Sequence, residues 1–255
     1  MQYDILSYQL KNRVMTLFLN GNGNCYGAPV QVANELIELA NTISLTKEIQ
    51  VVIVHLEQTT PPENIQLNQI EPNTDPGRAY PFSWAVPISR IEIPVIMSIN
   101  GYAMGQALEL ALACDIRMAS SGSFFGLPHI NNGVIPWDGG TQRLSRLIGK
   151  SNAMEMILTG QAINGEQAFR MGLVNRLSGP DDLLPTVLET AGKMAGKGPL
   201  ALKYTKEVVL MGSDLKLDQA LALEADLYFL LHTSMDRTEG IKAFQEKRNP
   251  EFRGE

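Results

Sequence analysis

The stretch Ile99-Asn-Gly-Tyr-Ala-Met-Gly-Gln-Ala-Leu-Glu-Leu-Ala-Leu-Ala-Cys-Asp-Ile-Arg117 is the part of the chain best suited to chemistry. A β-type apolar run ends at Ser98, small residues and glycines turn the chain, and a helix is predicted from about Gly105. The N–H groups at a helix start have no acceptor inside the helix and point outward. With the helix dipole behind them they suit the stabilisation of an oxyanion. Glu109 falls one turn into that helix, within reach of a ligand held at its start. The same spacing also describes a plain strand-to-helix turn with a surface glutamate, because glycine-rich turns are common.

The surrounding elements follow from hydrophobic periodicity. Val14 to Leu19 is a short β-favouring run stopped by Asn20-Gly-Asn-Gly23. Val30, Ala33, Leu36, Ile37, Ala40 and Ile43 recur at helical spacing. Val51-Val-Ile-Val-His-Leu56 is nearly continuous, as in a strand covered on both faces, and Pro94 to Ser98 is another such run. Strand, helix and strand in that order predict a βαβ unit with a parallel sheet. Residues 57–93 are rich in Gln, Asn, Pro and Thr and predict a long functional loop. Short helices are predicted over 139–148, 151–158 and 164–171, the last with an Asn164/Gln167 capping box and Gly172 as its stop. Helical spacing continues through 183–195, 199–210, 215–231 and 236–246.

Composition narrows the partners. A net charge of −6 argues against nucleic acid but leaves room for a phosphate-bearing ligand at a local basic cluster. Cys25 and Cys114 fit no metal-ligand spacing and are expected to be reduced thiols. With no run of about 20 apolar residues and no leader-like start, no membrane association is expected and the cytoplasm is the default compartment.

Beyond these general features, residues 99–117 resemble the signature of the crotonase (enoyl-CoA hydratase/isomerase) superfamily, Asn-Gly-Tyr-Ala-x-Gly-Gly-Gly-x-Glu-Leu-Ala followed by Cys-Asp-Ile. The resemblance continues through Phe125-Gly-Leu-Pro-His-Ile-Asn-Asn-Gly-Val-Ile-Pro136 and Gly139-Gly-Thr-Gln-Arg-Leu-Ser-Arg-Leu-Ile-Gly-Lys150. Further along it takes in Ala153 to Gly160, Ala168 to Val174 and the tail Gly240 to Phe252. It implies an α/β fold with a ββα-spiral core, residues 1–195, and a C-terminal helical trimerisation region, residues 196–255. The expected assembly is a homotrimer or a dimer of trimers, which also suits the largely apolar run Leu215 to Leu231.

The resemblance also assigns roles. Family members stabilise a thioester enolate with two backbone N–H groups, which would here belong to Gln106 and, by count from Val51, Ile65. Water-adding members use two glutamates. Glu109 matches one; the other, in a Pro-Glu-Ile motif, is replaced in Pro128-His129-Ile130. A histidine serves as acid or base near neutrality but is no copy of a carboxylate. Asp138, in Pro136-Trp-Asp-Gly139, is a third catalytic candidate, and Trp137 a wall for the acyl group. The alternative for this pair is a packed tryptophan and an aspartate capping the helix that begins near Gly139. Phe244 and Lys247 match positions that contact coenzyme A. The implied activity is addition of water to, or its removal from, an unsaturated acyl-CoA, cyclic or conjugated chains included. Coenzyme A is part of the substrate, and no separate cofactor or metal is implied. The alternatives are isomerase, hydrolase or decarboxylase chemistry on the same scaffold, or a catalytically silent acyl-CoA-binding subunit.

Overall fold

The computed structural model describes residues 3–20, 24–62 and 82–255. In chain order the elements are β1 (Ser7–Lys11), β2 (Val14–Phe18), α1 (Pro29–Leu45), β3 (Val51–Gln58), α2 (Ala85–Ser89), β4 (Val95–Met104), α3 (Gln106–Ala113), β5 (Ile116–Ser120), β6 (Phe124–Gly126), α4 (Gly140–Ile148), α5 (Lys150–Thr159), β7 (Ile163–Asn164), α6 (Gly165–Arg170), β8 (Arg176–Ser178), α7 (Pro180–Ala195), α8 (Pro199–Gly212), α9 (Leu217–Leu231) and α10 (Met235–Glu246). A 3-10 turn, Pro128–Asn132, precedes α4.

The main sheet has the order β1-β2-β3-β4-β5-β8. From β2 to β8 the neighbours run parallel, and β1 closes one edge antiparallel to β2. The unbroken apolar run of β3 has a direct cause. Val52 and Val54 face one core with Leu36 and Leu39 of α1, while Val51 and Ile53 face a second core with Leu183 and Val187 of α7. Both faces of the strand are buried, so no polar alternation survives.

Strand β4 extends further than its apolar run predicts, to Met104 rather than Ser98. Val95 to Gly101 pair with β3, and the end of the strand, Tyr102 to Met104, pairs with β6 in a second small sheet. Gly101, at φ +98°, lies where the pairing with β3 ends. A Cβ there would fall 1.9 Å from the Gln58 carbonyl oxygen, so only glycine fits. Tyr26 braces the end of the strand, its hydroxyl donating to the Tyr102 carbonyl (2.9 Å) and accepting from the Met104 N–H (3.1 Å).

The expected capping box at α6 is present, with Asn164 and Gln167 exchanging hydrogen bonds. Helices α8 and α9 contain no buried residue in this chain and leave Val209, Leu210, Leu217, Leu221 and Phe229 exposed. Lys206 of α8 reaches Asp115 (2.7 Å), just before β5, and the Ile93 carbonyl (2.9 Å), just before β4. No described helix is long and apolar enough to cross a membrane.

Candidate active site

The turn from β4 into α3 sets the frame. Gly105 (φ 56°, ψ −127°) donates its N–H to the Gly126 carbonyl at 2.9 Å. Its own carbonyl accepts from Leu108 and Glu109, at 3.0 and 3.1 Å. The N–H groups of Gln106 and Ala107 therefore precede the first bond inside the helix, and the dipole adds to their polarity. The Gln106 side chain donates to the Phe82 carbonyl (3.0 Å). Ile65, the expected second donor, lies outside the described residues.

Glu109 is fully buried, which removes the surface-glutamate alternative. Its Oε1 accepts the N–H groups of Asp138 (2.8 Å) and Gly140 (2.9 Å). Gly140 must be glycine for this seat to exist, since a Cβ there would stand 2.9 Å from Oε1 and 2.8 Å from the Pro136 ring. The other oxygen, Oε2, has no hydrogen-bond partner among the described residues and lies 3.6 Å from Nε2 of His129. Both ring nitrogens of His129, itself fully buried, are equally unpartnered there. Groups this costly to bury unpaired, facing one another, are able to receive a polar reactant between them.

Burial pushes the Glu109 carboxyl up to about 8, helped by the neighbouring Asp138 charge and opposed by the Gly140 and Asp138 N–H groups and by Arg143. Burial also pushes the His129 imidazole down to about 4. Both groups are thus driven toward their neutral forms. Between those limits the pair as a whole holds one exchangeable proton, and its titration belongs to the pair rather than to either residue.

Asp138 is buried beside them, with its side chain already engaged. Oδ1 accepts a short hydrogen bond from the Ser83 hydroxyl, and Oδ2 accepts the N–H groups of Trp84 (2.8 Å) and Ala85 (3.1 Å). Its carbonyl accepts from Arg143 Nη1 (3.1 Å). The aspartate does cap a helix, but that helix is α2, 53 residues back in the chain, while the N-cap residue of α4 is Gly139 and makes no side-chain cap bond. Burial raises the Asp138 carboxyl, and its donors counter the rise. Trp137 next to it is partly exposed. Phe244 is 85% exposed on α10, and Lys247, also exposed, ends that helix in the left-handed conformation (φ 53°). In this chain alone neither is packed into the Glu109–His129 centre.

Sequence reasoning did not reach Ser83, Gly140 or Tyr26. The Gly139-Gly140 pair was a usable signal, but Ser83 and Tyr26 meet their partners only through the fold.

Comparison with known proteins bears on the family and the fold. A family model described as enoyl-CoA hydratase/isomerase matches residues 65–255. A crotonyl-CoA hydratase of Syntrophomonas wolfei is 42% identical over 165 residues, 65% of this chain and 64% of that protein. A 2,3-dehydroadipyl-CoA hydratase of Escherichia coli is 45% identical over 161 residues, 63% of each. In both cases the matched stretch is less than two thirds of the relative's length. Among solved structures, an enoyl-CoA hydratase from Bacillus anthracis superposes with a TM-score of 0.87 at 30% identity, covering 98% of this chain and 100% of that one.

Proposed function

This chain belongs to the enoyl-CoA hydratase/isomerase family, and on that footing we propose that it hydrates an α,β-unsaturated acyl-CoA thioester and catalyses the reverse dehydration. The observation that carries the reading is the buried Oε2 of Glu109, unpartnered among the described residues, facing the unpartnered ring of His129 at 3.6 Å.

Hydration places hydroxyl on the β-carbon and a proton on the α-carbon. One member of the Glu109–His129 pair takes the proton that water loses, and the other gives one to the α-carbon. The pair ends the turnover with as many protons as it began, and exchange across the short gap restores its starting arrangement. Charge that collects on the thioester oxygen meets the Gln106 N–H and, in this reading, the Ile65 N–H. Glu109 is the residue that holds water, by analogy with the motif it matches, and His129 completes the transfer. Asp138 takes part at this site, Trp137 borders the acyl group, and Phe244 with Lys247 meets coenzyme A. The exposed apolar residues of α8 and α9 form an assembly surface for a homotrimer or a pair of trimers, which sedimentation tests directly.

The test of the activity is incubation with linear, aromatic and alicyclic enoyl-CoAs, crotonyl-CoA among them, followed by mass spectrometry. Gain of one water supports hydration. Loss of carbon dioxide, release of free coenzyme A, or an unchanged panel refutes it.

A further inference from the structure

Resting on the hydration reading, we propose that Asp138 is a positioning residue of this site rather than a proton carrier: its side chain clamps Ser83, Trp84 and Ala85, and the clamp fixes the main-chain N–H that grips Glu109. The geometry closes a loop. The Asp138 N–H holds Glu109 Oε1 at 2.8 Å, while the Asp138 carboxylate binds Ser83, Trp84 and Ala85. The neighbouring Phe82 carbonyl accepts from the side chain of Gln106, the first residue of α3. The start of α3 and the Glu109 seat are thereby braced against one four-residue segment, 82–85. Trp84 fixes that segment in turn, fully buried and donating Nε1 to the Pro29 carbonyl at 2.8 Å.

A proton carrier needs a lone pair or a proton free to meet the reactant. Both Asp138 oxygens are already engaged, one by a hydroxyl and the other by two N–H groups, so neither is the unpartnered oxygen that a carrier would turn to the reactant. The contrast with Glu109, whose second oxygen is unpartnered among the described residues, separates the two carboxylates by task. Among the described residues, the charged or titratable groups around Glu109 are Asp138, Arg143 and His129. Asp138 therefore acts on it in two ways, through the placement of an N–H and through a nearby negative charge.

Two variants separate these effects. Ser83→Ala keeps the carboxylate and removes one clamp bond. It should lower kcat about 3- to 10-fold with KM little changed and the alkaline limb of the pH profile in place. Asp138→Asn also removes the charge, so kcat should fall about 10- to 100-fold and the alkaline limb should move to lower pH. A silent Ser83→Ala, combined with an Asp138→Asn as inactive as Glu109→Gln, would make Asp138 a proton carrier and overturn the proposal. Thermal destabilisation of both variants with unchanged kcat and limb would overturn it as well. A readout free of turnover is the ring titration of His129 by NMR in the ligand-free protein, which has three histidines to assign. In the wild type the ring should sense a neighbouring ionisation near pH 8, and Asp138→Asn should move that response downward. A loosened Asp138 N–H raises the Glu109 carboxyl while the lost charge lowers it, so Ser83→Ala, which keeps the charge, reads the clamp alone, and a response unmoved in both variants counts against the proposal. A moved response in a protein that turns over no enoyl-CoA counts against hydration alone.

Discussion

Replacing Gly140 by alanine tests the Glu109 seat without replacing any titratable group. Gly140 has no positive φ, so the backbone accepts alanine and any effect comes from the new methyl. That methyl would meet Pro136 Cβ at 2.8 Å, Glu109 Oε1 at 2.9 Å and Leu127 Cδ1 at 3.0 Å. Ordinary carbon contacts lie at about 3.5–4.0 Å, so something must move by more than half an ångström. The proline ring and the fully buried Leu127 are confined, and the carboxylate is the neighbour that can swing away. Overpacking of this kind costs about 1–3 kcal/mol. A weakened hydrogen bond at Oε1 brings the expected loss to roughly 2–4 kcal/mol. In a chain of this size that lowers Tm by about 5–12 °C. The displaced carboxylate should lower kcat by about 10- to 100-fold, the scale of a catalytic group misplaced by up to an ångström. Thermal unfolding at one protein concentration and steady-state turnover of crotonyl-CoA measure both. Gly122→Ala is the control, since its methyl would meet nothing within 4 Å. Wild-type Tm and kcat in Gly140→Ala would refute the reasoning that Glu109 is held by a glycine-dependent seat.

Three further predictions concern the acid–base pair. Glu109→Gln keeps the shape but carries no exchangeable acid proton, so kcat should fall by about 10²-fold or more with acyl-CoA affinity nearly unchanged; undiminished turnover would remove Glu109 from the mechanism. His129→Glu rebuilds a two-glutamate site beside a carboxyl already raised by burial, and turnover of the native substrate should drop because like charges cannot both ionise there; a faster variant would mean that the histidine is a decayed glutamate position. Stability should also depend on pH in a defined way. Glu109 is raised from 4.5 to about 8, so the folded protein keeps a proton the unfolded chain releases, and stability falls as pH climbs through that window. His129 is lowered from 6.5 to about 4, so the unfolded chain binds a proton the folded protein refuses, and stability falls as pH drops through that window. The two slopes oppose each other between 4.5 and 6.5, leaving their joint contribution flat there. Glu109→Gln should remove the alkaline decline, and calorimetry across pH 4–9 would show whether it does.

What the sequence made legible follows from how local each signal is. Strand β3 was readable because burial on both faces leaves an unbroken β-branched run. Strand β1, Ser-Tyr-Gln-Leu-Lys, was not, because an edge strand with half-exposed and exposed residues need not alternate. Glu109 could be placed on a helix start from the preceding glycines alone, but its burial depends on the 136–140 turn arriving over it. His129 gained meaning only from the resemblance, since one histidine in Pro-His-Ile has no chemical signature of its own. The aspartate was rightly suspected of capping a helix, yet its partner was placed on the wrong side of it. Asp138 and Ser83 are 55 positions apart, and no local pattern joins them.

Helix α3 has one more consequence, for engineering. Of its eight residues all but Ala113 are buried, and its far end is gripped by buried Arg117, which donates to the Ala111 and Cys114 carbonyls. A helix confined at seven of its eight positions offers almost no outward face on which small changes could be tried. In a randomised library α3 would therefore be a silent zone where nearly every variant is lost. Selectable diversity would collect across the site from it, on the segment that leaves Ile130 and Ile135 open to solvent. The Glu109 carboxylate would thus stay fixed while the exposed segment around Ile130 and Ile135 is free to drift.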